Sequence, residues 1–138
     1  MAEVLVDSLH KAFPDGTVAV EDLDLEIGDG ELFVLLGPSG CGKTTTLRCI
    51  AGLEEETGGE IRIGDEVVSG LRPSQRDIAM VFQFYALYPH LSVRDNMAFP
   101  LRAAKRPESE INERVAEAAR MLHLEPFLTR TPSRLSGG

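Results

Sequence analysis

Eight residues, Gly37-Pro38-Ser39-Gly40-Cys41-Gly42-Lys43-Thr44, constrain this chain more than any other feature. They follow a continuous apolar run, Leu32-Phe33-Val34-Leu35-Leu36, of the kind expected for a strand covered on both faces of a parallel sheet. They precede Lys43 to Ala51, helix-tolerant residues with Leu47 and Ile50 on one side, and Gly52 stands where a helix stops. The expected unit is therefore strand, loop, helix, with the loop delivering the chain to a helix N-terminus.

In that context the match to G-x-x-x-x-G-K-[ST] is complete. Glycines at 37, 40 and 42 let the backbone wrap close to phosphate oxygens and turn N–H groups inward as an anion nest, with Pro38, Ser39 and Cys41 completing the cradle. The following helix adds roughly half a positive charge at its start. Lys43 is expected to place its ammonium between the β- and γ-phosphates of a nucleoside triphosphate. The Thr44 hydroxyl is expected to join the shell of Mg²⁺, and Thr45 to reach the α-phosphate. The bland alternative is a glycine-rich turn with an incidental Lys-Thr pair. The loop does not specify the base.

Composition excludes other classes. At 138 residues, 43% hydrophobic and 26% charged, the chain is in the ordinary globular range. A formal charge of -8 argues against a sequence-independent grip on nucleic acid, which needs surplus Lys and Arg. No apolar run approaches the about 20 residues that span a bilayer, and no secretion signal opens the chain, so a cytoplasmic setting is expected. The two cysteines, Cys41 and Cys49, lack metal-ligand spacing and read as reduced thiols. Cys49 is expected to pack within the helix, and oxidation of Cys41 would obstruct the phosphate site.

The first thirty residues predict strands: Val4 to Val6 is an apolar start, and Leu23, Leu25 and Ile27 alternate with Asp24 and Glu26. Pro14-Asp15-Gly16 and Gly28-Asp29-Gly30 supply turns. Gly58 to Val68 reads as a hairpin about Gly64-Asp65, and Ile78 to Phe82 as another short buried strand. Ser92 with Asp95 predicts a capped helix ending before Pro100. Ile111, Val115, Ala118, Ala119 and Leu122 recur at helical spacing, so residues from 84 onward are expected to form a helical subdomain.

A phosphate loop alone leaves small-molecule kinases, GTPases and motor ATPases open. Three further segments narrow the field: Val81-Phe82-Gln83, Tyr85-Ala86-Leu87-Tyr88-Pro89-His90, and Leu135-Ser136-Gly137-Gly138. Together with the loop they resemble ABC transporter ATPases, in particular the ATPase subunits of bacterial importers of the maltose, trehalose and glycerol-3-phosphate type. The resemblance covers essentially the whole chain. It implies an α/β fold of the P-loop NTPase class (ABC-type nucleotide-binding domain): an antiparallel β part with P-loop core strands over 1–83, and a helical subdomain over 84–138.

The resemblance also assigns roles. Gln83 is implied as the glutamine that ligates Mg²⁺ or orients the lytic water, making it a catalytic residue with Lys43 and a metal ligand with Thr44. It also couples the nucleotide site to the membrane partner. Phe13 falls where the family stacks an aromatic on adenine, with Val18 flanking the base; a π-face is all that stacking requires. Ser136, Gly137 and Gly138 match the start of the signature motif, which binds the γ-phosphate of ATP held by the opposite subunit of a homodimer or heterodimer. Tyr85, Tyr88, Pro89 and His90 resemble the surface that receives transmembrane permease subunits at the membrane's cytoplasmic face. Phe84 departs from the small polar residue usual after the glutamine.

The family's signature continues with a glutamine, then a strand ending in Asp-Glu and a switch histidine. None of these occurs within the 138 residues. ATP binding without hydrolysis is therefore the alternative expectation for this stretch alone, and phosphoryl transfer to a small molecule a third.

Overall fold

The computed structural model describes residues 2–83 and 86–135. Phe84, Tyr85, Ser136, Gly137 and Gly138, all named above, lie outside the described residues. The chain divides into two compact units, Met1–Met80 and Val81–Gly138.

The first unit is built on a four-stranded antiparallel sheet. Strands β1 (Val4–Ala12), β2 (Val18–Ile27), β3 (Gly58–Ile63) and β4 (Glu66–Val67) lie in the order β2-β1-β3-β4. In β2 the expected alternation holds, with Leu23, Leu25 and Ile27 half-buried and Asp24 and Glu26 exposed. In β1 the alternation changes phase: Val6 points inward, then Leu9 and Lys11. The cause is an irregularity between Val6 and Leu9, where Ser8 takes a positive φ of 49°. Its N–H donates to Asp24 Oδ1 at 2.6 Å, holding the kinked backbone to the neighbouring strand.

Helix α1 (Lys43–Ile50) lies against this sheet. Its Cys49 is fully buried in one core with Val6, Leu9, Val20, Ile61 and Val68. Burial pushes the Cys49 thiol above its ordinary pKa, reinforced by Glu56. The inward face of α1 is Thr46 and Cys49, whereas Leu47 is exposed. Of the apolar pair, Ile50 packs against the rim of this core and only Leu47 is left exposed, because Cys49 fills the centre as a small hydrophobe.

Two expected core strands are not formed among the described residues. Leu32 to Leu36 has no strand partner there, and Leu32 and Leu36 are 90% and 87% exposed. Ile78 to Phe82 likewise forms no ladder, with Val81 92% exposed. A strand exists only through hydrogen bonds to a neighbour, and an apolar run does not reveal where that neighbour lies.

The second unit is helical. Ser92 caps α2 (Val93–Ala103), its Oγ accepting from Asp95 N–H at 3.1 Å. Contrary to expectation, α2 does not end before Pro100 but runs through it to Ala103. Pro100 is exposed, so the Asn96 carbonyl it leaves without an i+4 donor can be solvated, and the helix resumes with Ala104 N–H donating to the Pro100 carbonyl. Helix α3 (Glu108–Met121) buries Ile111, Val115 and Ala119, and Ala98 of α2 joins Ile111 and Val115 in the second core. Leu122, expected on that stripe, follows the helix and is exposed.

Candidate phosphate-binding site

Residues 37–42 connect the segment 31–36, which forms no strand among the described residues, to the N-terminus of α1. The helix has Gly42 at its N-cap in the left-handed region, φ 89°, with no side chain capping it. The first-turn N–H groups of α1 thus have no helical acceptor and no side-chain acceptor at the cap, the condition for binding an anion. A Cβ at Gly42 would overlap the Ala19 carbonyl oxygen, so the loop is pressed onto the start of β2 and only glycine fits.

Lys43 projects back over the loop. Its Nζ donates to the carbonyls of Gly37 at 2.8 Å and Pro38 at 2.6 Å and lies 3.4 Å from Cys41 Sγ. The cation is fixed across the loop on its carbonyls, adding full charge near the free first-turn N–H groups of α1. Ser39, Gly40 and Cys41 are exposed, as is Thr44, whose hydroxyl has no hydrogen bond among the described residues; Thr45 is half-buried. A hydroxyl oxygen at the head of the helix, beside phosphate oxygens, fits a hard cation such as Mg²⁺. Among the described residues no group of three or more His, Cys, Asp or Glu could hold a metal alone, so phosphate and water would have to complete the shell.

The start of β2 borders the same loop through Ala19, just after the turn from β1. Phe13 opens this turn, its N–H donating to the Thr17 carbonyl at 2.8 Å, and Val18, paired with Ala12, is exposed beside it. Phe13 thus follows the end of β1, and Val18 opens β2 one residue before Ala19, the residue that meets the phosphate loop.

Two residues here escaped the sequence reading. Lys11 is 6% exposed, salt-bridged to Glu54 at 2.8 Å, hydrogen-bonded to the Glu55 carbonyl at 2.7 Å, and 5.1 Å from the Phe13 ring centroid. Arg76, 3% exposed, donates to the carbonyls of Cys49 at 2.6 Å, Ile50 at 3.0 Å and Leu71 at 3.0 Å, closing the C-terminal end of α1. Lys11 shares the inward phase of Leu9, a signal visible only once the β1 kink is known.

Gln83 is in the second unit, exposed and in a turn. In the same unit Tyr88 stacks on Phe99 at 4.4 Å and meets His90 edge-on at 6.3 Å, and Leu87, Tyr88 and Phe99 are all exposed. Asn96 pins this loop, accepting from Tyr88 N–H and donating to the Tyr88, Leu91 and Ser92 carbonyls. Among the described residues no helix is long and apolar enough to cross a membrane.

A complete glycine-rich phosphate-loop motif leading into a helix, with its lysine folded across it, defines the P-loop class. The family model described as ABC transporter matches residues 20–138, and the chain belongs to that family. It is 56% identical over all its 138 residues to the trehalose import ATP-binding protein SugC of Mycobacterium tuberculosis (strain ATCC 25618 / H37Rv), covering 35% of that protein. It is 55% identical to the sn-glycerol-3-phosphate import ATP-binding protein UgpC of Rhizobium meliloti (strain 1021), covering 40%. The chain thus spans well under half the length of these relatives. Among solved structures, the dimeric post-hydrolysis state of the ATP-binding cassette MJ0796 bound to ADP and Pi matches with a TM-score of 0.85 and 31% identity, over 97% of this chain and 63% of that one.

Proposed function

We propose that this chain supplies the ATP-binding part of an ATP-hydrolysing ABC transporter subunit that powers sugar import. The observation that carries the reading is Lys43, held across the loop on the Gly37 and Pro38 carbonyls at the head of an uncapped helix. The loop from Gly37 to Thr45 would hold the triphosphate, Lys43 would neutralise its β- and γ-oxygens, and Phe13 and Val18 would hold the adenine. Thr44 would offer an oxygen to Mg²⁺, which when bound neutralises charge on the phosphates; a metal-ligand role for Gln83 is implied by the family resemblance alone. Sugar import is supported by the name of the trehalose importer subunit, and import of a small polar solute by that of the sn-glycerol-3-phosphate importer subunit, each more than 50% identical over the full chain.

In this account Ser136, Gly137 and Gly138 would contact ATP held by a second ATPase subunit, as in a head-to-tail pair. The exposed Leu87 and Tyr88, with Phe99 against the Tyr88 ring, would receive the permease subunits at the cytoplasmic face of the membrane. The test is phosphate release by the whole subunit with its permease partners: Lys43→Ala is expected to abolish it, and wild-type turnover by that variant would overturn the reading.

A second reading is favoured by one observation. The groove of about 360 Å³ that Lys43 and Thr44 help to line is otherwise formed, among the described residues, by Leu25, Ile27, Phe33, Val34, Leu35, Leu47 and Ile50, none of which carries a carboxylate to polarise an attacking water. For the 138 residues alone this favours ATP binding without hydrolysis. Sustained Mg²⁺-dependent phosphate release from that chain would exclude it.

A further inference from the structure

Lys11 is buried and charged, and the phosphate loop does not use it. A buried ammonium persists only where it is paired and hydrogen-bonded, and Lys11 has both the Glu54 carboxylate at 2.8 Å and the Glu55 carbonyl at 2.7 Å. Neither partner belongs to β1. Both follow the last turn of α1, where Leu53 and Glu54 N–H donate to the Arg48 carbonyl. The third neighbour of the ammonium is the ring of Phe13, two residues along, at 5.1 Å.

We infer that Lys11 is a positioning residue for base recognition: it holds Phe13 by one ring face as a platform for the purine of a nucleoside triphosphate. This rests on the proposal that the loop binds such a nucleotide. A cation over one face of an aromatic ring attracts its negative quadrupole and resists rotation of the ring. It also draws electron density toward itself, which makes the ring a better partner for an electron-rich purine. Phe13 remains half-buried at the exposed end of the strand pair, so ring surface is left for a ligand. Through Glu54 the lysine ties this platform to the far end of α1, whose near end carries Lys43. Base platform and phosphate loop are thereby linked through α1 within the first unit.

The base contribution is separated from the phosphate contribution by titrating the chain with Mg-ATP and, independently, with Mg-tripolyphosphate, which has no base to stack. Lys11→Met is expected to weaken ATP by about tenfold and tripolyphosphate by less than about twofold, while Lys11→Arg restores ATP to within about threefold. In a Phe13→Leu background, Lys11→Met is expected to change the ATP-to-tripolyphosphate ratio no further. Equal loss for both ligands, no loss for ATP, or an undiminished Lys11→Met effect without the ring would each overturn the inference. Should Lys11→Met fail to fold by circular dichroism, Glu54→Gln, which loosens the lysine and keeps its charge, is expected to lower ATP affinity alone. An equal effect of Glu54→Gln on both ligands, or none on ATP, would overturn the inference in its place. Failure of wild-type chain to bind either ligand would instead overturn the nucleotide reading on which it rests.

Discussion

Arg76 Nη1 donates to the Cys49 carbonyl oxygen at 2.6 Å, so the last turn of α1 is closed by a side chain from 27 residues further along. A guanidinium at a helix C-terminus satisfies carbonyls that have no helical donor and opposes the negative end of the helix dipole. Arg76→Met is expected to destabilise the chain by about 2–4 kcal/mol in urea denaturation, because buried carbonyls lose charged donors. Lys, a single point charge without the planar fork, is expected to recover only part of that. Stability unchanged in Arg76→Met would contradict this role.

Gly42 combines a φ of 89° with contact to the Ala19 carbonyl. Gly42→Ala is expected to shift the loop off β2 and lower Mg-ATP affinity by at least about 100-fold, read by isothermal titration. An affinity within a few-fold of wild type would show that the loop tolerates a different backbone path.

In the helical unit, the Asp95 carboxyl is held below its usual range by the Ser92 hydroxyl at 2.6 Å first, and then by Arg102 at 3.0 Å. Its folded pKa lies below its unfolded value of about 3.9, so the stabilisation is complete above that value and fades as pH falls through the folded pKa. Thermal unfolding of wild type is expected to lose stability relative to Asp95→Asn below about pH 4. Ser92→Ala, which removes the cap, is expected to cost about 1 kcal/mol at neutral pH.

The two thiols are expected to differ sharply in reactivity. Cys41 is exposed in the loop, while Cys49 is fully buried with its thiolate disfavoured by burial. Native protein should take up one maleimide, mapped to Cys41 by peptide mass spectrometry, and the second only after denaturation. Bound Mg-ATP should slow the first reaction, since Cys41 Sγ lies 3.4 Å from the Lys43 ammonium. Labelling of Cys49 in the native state would argue against the packing of α1.

Much of the first unit was legible because its signals are local. The alternation of Leu23, Leu25 and Ile27, the Gly64-Asp65 turn and the glycine spacing from 37 to 42 each act within a few residues. Leu32 to Leu36 misled because a ladder depends on a neighbour that the run itself does not encode. Pro100 misled because the penalty for proline inside a helix depends on whether the freed carbonyl can be solvated, which sequence does not state. Lys11 and Arg76 were missed for a related reason: their partners lie 43 and 27 residues away, at Glu54 and Cys49, and neither pairing leaves a pattern along the chain. Phe13, by contrast, was found from resemblance alone and gained a physical neighbour, Lys11, only in three dimensions.

The central claim is that residues 37–44 form a polyphosphate cradle with Lys43 as its charge. Equilibrium titration of the chain with ATP in the presence and absence of Mg²⁺, for wild type and Lys43→Ala side by side, tests it most directly. The account predicts Mg²⁺-dependent binding by wild type and a loss of about 100-fold or more in Lys43→Ala, consistent with removing a charge-assisted contact from a fixed site. Equal affinity in the two proteins would contradict it.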